Sequence, residues 1–290
     1  MNLRLAIIAA LCVTYTLAPP ASADSLEAPD ANSVHYYVAL GDSLAEGYQP
    51  NGDLAHGYAD QLYAALRADD PTLQLEKLAC GGETTSSMIS GVEPTGSLGS
   101  RYFCAPPGPQ RKELAHGSQL ADAVAFLHAH SQFVALITID IGGNDVGVCV
   151  YQLDQSCLAN GLTTIRQNLA LILSALREAV GPNVPIVGMN YYDPFLAFWF
   201  SDPTAAQTTE QMAVQLNDVL GPVYGAARDP VADVETAFST TDWTLGGGIP
   251  LNVLGICQWT WMCDPTYGPD LHANTSGYGV IAKAFKQVIP

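Results

Sequence analysis

The chain is poor in cations: its 290 residues carry 11 Lys and Arg against 28 Asp and Glu, a formal net charge of -17. Nucleic-acid backbones and anionic membrane surfaces are held by clustered Lys and Arg, so both partner classes are excluded. Charged residues make up only 13% of the chain and hydrophobic ones 48%. Disorder needs the reverse balance, so the chain folds around a core. Gly-x-Ser-x-Gly, the Walker loop and His-Glu-x-x-His are all missing, which removes one hydrolase nucleophile elbow, P-loop nucleotide binding and one zinc-protease class. A lone Gly277-Tyr278-Gly279-Val280-Ile281-Ala282 lies inside the last helical pattern with no βαβ unit after it, and reads as helix packing. No apolar run reaches the roughly 20 residues that cross a bilayer. Neither a cofactor nor a metal is expected.

What is present begins with a leader. Arg4 precedes an apolar run from Leu5 to about Leu17, and Ala21-Ser22-Ala23 supplies small residues for cleavage. That pattern predicts a secretory signal peptide over residues 1–23, leaving 24–290 as an exported single domain without a membrane anchor. Of seven Cys, Cys12 leaves with this segment. The remaining six are Cys80, Cys104, Cys149, Cys157, Cys257 and Cys263. Fifteen pairings are possible, and sequential pairing is the economical choice. A zinc site of Cys257, Cys263 and His272 competes, but it lacks a C-x-x-C knuckle, and an oxidising compartment favours disulfides.

Apolar or β-branched runs at 35–40, 73–79, 133–141, 184–189 and 231–234 alternate with helical patterns at 57–68, 118–130, 158–180, 204–227 and 275–288. This order predicts a parallel sheet with helices on both faces. The run FVALITIDI has almost no alternation, as a strand covered on both sides requires. Residues 91–117 and 238–269 read as long loops. In an open parallel sheet, ligands sit at the carboxyl ends of the strands. The chain places Gly41-Asp42-Ser43-Leu44, Cys80-Gly81-Gly82-Glu83-Thr84-Thr85 and Gly142-Gly143-Asn144-Asp145 there, with Pro269-Asp270-Leu271-His272 before the final helix.

Ser43 is a candidate nucleophile and His272 its base, since imidazole exchanges protons near neutrality. Attack on a carbonyl creates an oxyanion that needs preorganised donors. The N–H of Ser43, a glycine N–H from Gly81-Gly82 and the Asn144 amide are available. Taken singly each segment is an ordinary turn, and the joint placement at successive strand ends carries the hypothesis. Asn274-Thr275-Ser276 is a glycosylation sequon that also suits helix capping.

These four blocks resemble the GDSL, or SGNH, hydrolases. The resemblance implies a three-layer α/β/α flavodoxin-like fold with about five parallel strands, and hydrolysis of acyl esters through an acyl-enzyme. It implies Ser43 as nucleophile, Ser43, Gly82 and Asn144 as oxyanion hole, and His272 as base and then acid. The cysteines are similar to those of secreted actinobacterial lipases and esterases with three sequential disulfides. The family's Asp-x-x-His is not kept, because Pro269 stands three residues before His272. Asp270 is the expected orienting acid, with the Pro269 carbonyl and Asp264 as alternatives.

The expected substrate is a small-molecule or lipid ester, and the expected state a monomer. Removal of acetyl groups from polysaccharide is the nearer alternative. A non-catalytic flavin- or sugar-binding protein is the farther one, and it would leave Asn144 and His272 idle. The aromatic stretch 191–200 and the segment 243–261 are candidate acyl-binding walls.

Overall fold

The computed structural model describes residues 34–92 and 115–290. The expected leader and Cys104 lie outside the described residues. Five parallel strands form the central sheet: β1 (His35–Gly41), β2 (Leu73–Lys77), β3 (Val134–Asp140), β4 (Ile186–Met189) and β5 (Val231–Ala232), in the order β2-β1-β3-β4-β5. This is the flavodoxin-like order. The helices among the described residues are α1 (Ser43–Glu46), α2 (Tyr58–Arg67), α3 (Thr85–Ser90), α4 (Gln119–His130), α5 (Gly143–Tyr151), α6 (Gln155–Val180), α7 (Pro203–Ala227), α8 (Val234–Ala237), α9 (Leu251–Trp259) and α10 (Thr275–Val288), of which α1, α3 and α8 are short. A 3-10 helix spans Pro194–Phe200, and residues 245–246 and 249–250 form a small antiparallel hairpin.

Strand order decides where the helices go. The β1-to-β2 step runs opposite to the three later steps, so right-handed crossovers put α2 on one face and α4, α6 and α7 on the other. The packing agrees: α10 joins α2, while α6 packs against α4 and α7. Helix α6 shows why it belongs in the core. Leu158, Ile165, Leu169, Ile172, Leu173 and Leu176 recur at helical spacing and are all buried. Each contributes about 1.5–3 kcal/mol relative to an exposed position. Asp154 starts this helix by accepting from the N–H groups of Ser156 and Cys157.

Several elements depart from the sequence expectation, the small hairpin and helices α9 and α5 among them. Helix α9 stands within the stretch read as a loop, because LNVLGICQW is apolar on too many sides to show a helical stripe. Helix α5 starts inside Gly142-Gly143-Asn144-Asp145, so that segment is a helix entry as well as a strand end. Gly142 makes the entry with φ +117, a region that favours glycine.

Two sequential disulfides are present, Cys149–Cys157 and Cys257–Cys263, with Cα atoms 5.4 and 4.9 Å apart. The first ties α5 to α6, and the second ties α9 to the chain approaching His272. Cys257 and Cys263 therefore do not form the thiolate pair of the zinc alternative. Cys80 is also disulfide-bonded, and its expected partner Cys104 lies outside the described residues. No helix among the described residues is long and apolar enough to cross a membrane. Asn274 is committed to capping α10: its side chain accepts from Gly277 N–H and donates to the carbonyls of Gln258 and Thr260.

Candidate active site

Strand order reverses between β1 and β3, and the two strand ends lie side by side, Gly41 opposite Asp140. Ser43 opens α1 directly after β1. Asp42 caps this helix by accepting from Leu44 N–H at 2.9 Å, which leaves the Ser43 N–H outside the cap. Ser43 is 8% exposed.

His272 comes from the loop before α10. Its Nε2 lies 2.8 Å from Ser43 Oγ, and its Nδ1 lies 2.7 Å from Asp270 Oδ1. The same Asp270 oxygen accepts from the His272 N–H at 3.0 Å. An Asp two residues before the histidine thus reaches back over its own chain, and the departure from Asp-x-x-His leaves a carboxylate in place. Burial raises the Asp270 carboxyl, but the hydrogen bonds and charge of His272 outweigh it and hold the group below the ordinary carboxylate range. Tyr48 packs on the His272 ring at 4.6 Å between centroids. The backbone anchors the loop as well: Trp261 N–H donates to the His272 carbonyl at 3.0 Å.

Asn144, in the first turn of α5, donates through Nδ2 to the Glu83 carbonyl at 3.0 Å. Its amide thereby joins the second and third strand-end segments and keeps a second N–H to offer. Gly82 has φ +81, which turns the loop after β2. Among the described residues, the N–H groups of Ser43 and Gly82 take no acceptor.

Several residues that hold this arrangement were quoted in the motifs without a role, and others carried no sequence signal. Asp145 accepts from Thr85 N–H at 2.9 Å and Thr85 Oγ1 at 2.5 Å, clamping α3 to α5. Burial pushes its carboxyl up to about 6, with the Thr85 hydrogen bonds pulling the other way. Glu83 is fully buried and accepts from Ser87 Oγ and from Gln119 Nε2. Burial pushes its carboxyl up to about 7 against those hydrogen bonds. Gln119 also receives Gly41 N–H at 2.7 Å and donates to the Gly41 carbonyl at 2.9 Å. It links β1 to the loop after β2, and nothing local in the sequence marked it.

A cavity adjoins Ser43 and Asn144. Its walls are mainly apolar, with Leu44, Val146, Val150, Phe195, Leu216 and Leu271 among them. Of the aromatic stretch, Tyr191, Tyr192 and Phe195 line this cavity, whereas Phe198, Trp199 and Phe200 do not, and Phe200 is exposed. The segment 243–261 does not line it either.

The family model for the GDSL-like lipase/acylhydrolase family matches residues 39–280. No curated sequence matches the chain. Among solved structures, an extracellular lipase from Streptomyces rimosus is similar at 18% identity and TM-score 0.52, covering 88% of this chain and 99% of its own. An acetylxylan esterase from Geobacillus stearothermophilus is similar at 16% identity and TM-score 0.53, covering 88% and 94%. A phospholipase A1 from Streptomyces albidoflavus is similar at 19% identity and TM-score 0.51, covering 88% and 99%. At these identities the likeness carries the fold.

Proposed function

The chain belongs to the GDSL-like lipase/acylhydrolase family and is an ester hydrolase, and we propose that it works through a Ser43 acyl-enzyme. The observation that carries this reading is the continuous hydrogen-bonded line Asp270–His272–Ser43. His272 Nε2 takes the Ser43 proton as Oγ attacks the ester carbonyl, while Asp270 faces the imidazolium that forms. The oxyanion falls to the N–H groups of Ser43 and Gly82 and to the Asn144 amide. The Nε2 proton then goes to the leaving alkoxide, giving the Ser43 ester and free alcohol. Water, deprotonated by His272, repeats the cycle and releases the acid.

The apolar cavity beside Ser43 favours an aliphatic acyl group over acetyl alone, because apolar walls reward added methylenes by about 0.8 kcal/mol each. The related structures include a lipase, a phospholipase and an acetylxylan esterase, so fold likeness leaves this choice to the cavity. Residues 1–23 direct the protein out of the cell, and the disulfides suit the oxidising destination. The test is kcat/KM across a series of acyl-chain lengths, with acetylated xylan alongside and Ser43→Ala as control. Rising values over the first several methylenes support the reading. A maximum at acetyl, or full activity in folded Ser43→Ala, overturns it.

A further inference from the structure

Behind Ser43, two acidic side chains are buried against each other, with no Lys or Arg among the described residues acting on them. Asp42 is 3% exposed and Asp140 fully buried, and their carboxyl groups face one another. Asp42 Oδ1 caps Leu44 N–H, and its Oδ2 accepts from Tyr191 OH at 3.2 Å. Asp140 Oδ1 accepts from Tyr58 OH at 2.7 Å, while Oδ2 is buried and has no donor. The backbones are joined too, Asp42 N–H donating to the Asp140 carbonyl at 3.1 Å. Gly41 makes room: a Cβ there would lie 2.4 Å from Asp140 Oδ1, at a φ of +130.

Two carboxylates in contact in a dry site cannot both ionise, and a contact between them requires a hydrogen. The ionisable groups facing the pair are Tyr58 from α2, Tyr37 from β1, Glu83 after β2, Asp145 from α5, Tyr191 and Tyr192 after β4, Tyr224 from α7, Tyr278 from α10 and His272. Of these, only His272 can carry positive charge. Burial raises both carboxyls. Both Asp42 oxygens already accept from Leu44 N–H and Tyr191 OH, whereas Asp140 Oδ2 accepts from no group, so the hydrogen rests on Asp140.

We propose that Asp42 and Asp140 hold one hydrogen between them and act as a positioning pair for the nucleophile. Asp140 donates to the Asp42 carboxylate, which is thereby locked in the rotamer that caps Leu44. The lock sets the peptide between Asp42 and Ser43, and with it the direction of both the Ser43 N–H and Oγ. Asp140 touches no reacting atom. This inference rests on Ser43 being the nucleophile.

The test compares Asp140→Asn, which keeps a donor, with Asp140→Val, which has none. The Asn variant should retain kcat within about threefold, and the Val variant should lose about 10- to 100-fold in kcat with KM changed less than about twofold. Labelling by a fluorophosphonate separates the two failures. A wild-type protein that is active but unlabelled at Ser43 sinks the nucleophile reading. Labelled wild type with equal kcat in both variants, or an Asn variant as slow as Val, overturns the positioning pair. If Asp140→Val does not fold, the infrared difference between wild type and Asp140→Asn at about pH 8 decides. A protonated-carboxyl band in wild type supports the pair, and its absence overturns it.

Discussion

Replacing Asp270 by Asn removes a charge yet leaves an acceptor in place. Both hydrogen bonds from His272 land on Oδ1, from the main-chain N–H at 3.0 Å and from Nδ1 at 2.7 Å. An amide oxygen there can accept both, preserving the tautomer that leaves Nε2 free to take the Ser43 proton. The Asp-to-Asn exchange in a triad can cost about 10⁴ when the tautomer is lost, and this geometry lowers that figure. What Asn cannot supply is negative charge opposite the imidazolium. At roughly 4 Å between charge centres and an effective dielectric of about 20, that attraction is about 4 kcal/mol. The Asp270 side chain is 22% exposed, so water screens part of it. A remainder of about 3 kcal/mol corresponds to about 10² in kcat. Asp270→Ala loses acceptor and charge together and should cost about 10³–10⁴. Steady-state kcat on a soluble chromogenic ester measures both. Equal losses in Asn and Ala would refute the shared-acceptor reasoning, and near-normal rates in both would remove Asp270 from the site.

Asn144→Ala should lower kcat by about 10²–10³ with little change in KM, as loss of one oxyanion donor does. A change confined to KM would make Asn144 a binding residue instead. Glu83 gives the fold a pH dependence. Its unfolded carboxyl releases its proton near 4.5 and its folded one near 7, so its contribution is full below 4.5 and lost as pH rises through 7. The interval corresponds to about 3 kcal/mol, and urea midpoints against pH should fall less steeply in Glu83→Gln. An unchanged slope would contradict this. Unfolding the chain from residue 24 onward without reductant should expose no free thiol, and two or more titratable thiols would refute three bridges.

The sheet was legible because its strands are apolar runs between helical patterns, and β1 and β3 appear within one residue of their expected ends. The candidate site was legible as a grouping because its residues stand at consecutive strand ends, where the fold brings them together. Asp270 could be nominated from its place beside His272, but that its carboxylate folds back onto Nδ1 needed the loop geometry. Helix α9 was hidden because its exposed face carries Leu251 and Leu254 while its buried face includes Asn252, which erases the apolar stripe that marks a surface helix. Gln119 and Asp140 were hidden for another reason. Each acts through a long-range contact, to Gly41 and to Asp42, and no local pattern records a partner that far away. Asp140 did leave one trace, as the single charged residue in FVALITIDI.

The central claim is that the acyl group passes through Ser43. Mixing the protein with a short-chain chromogenic ester, quenching in acid before the first turnover ends, and mapping peptides by mass spectrometry tests it directly. The acyl mass should appear on the peptide containing Ser43 in wild type and be absent from Ser43→Ala. An acyl group on any other residue, or a folded Ser43→Ala protein that turns over at the wild-type rate, would contradict it.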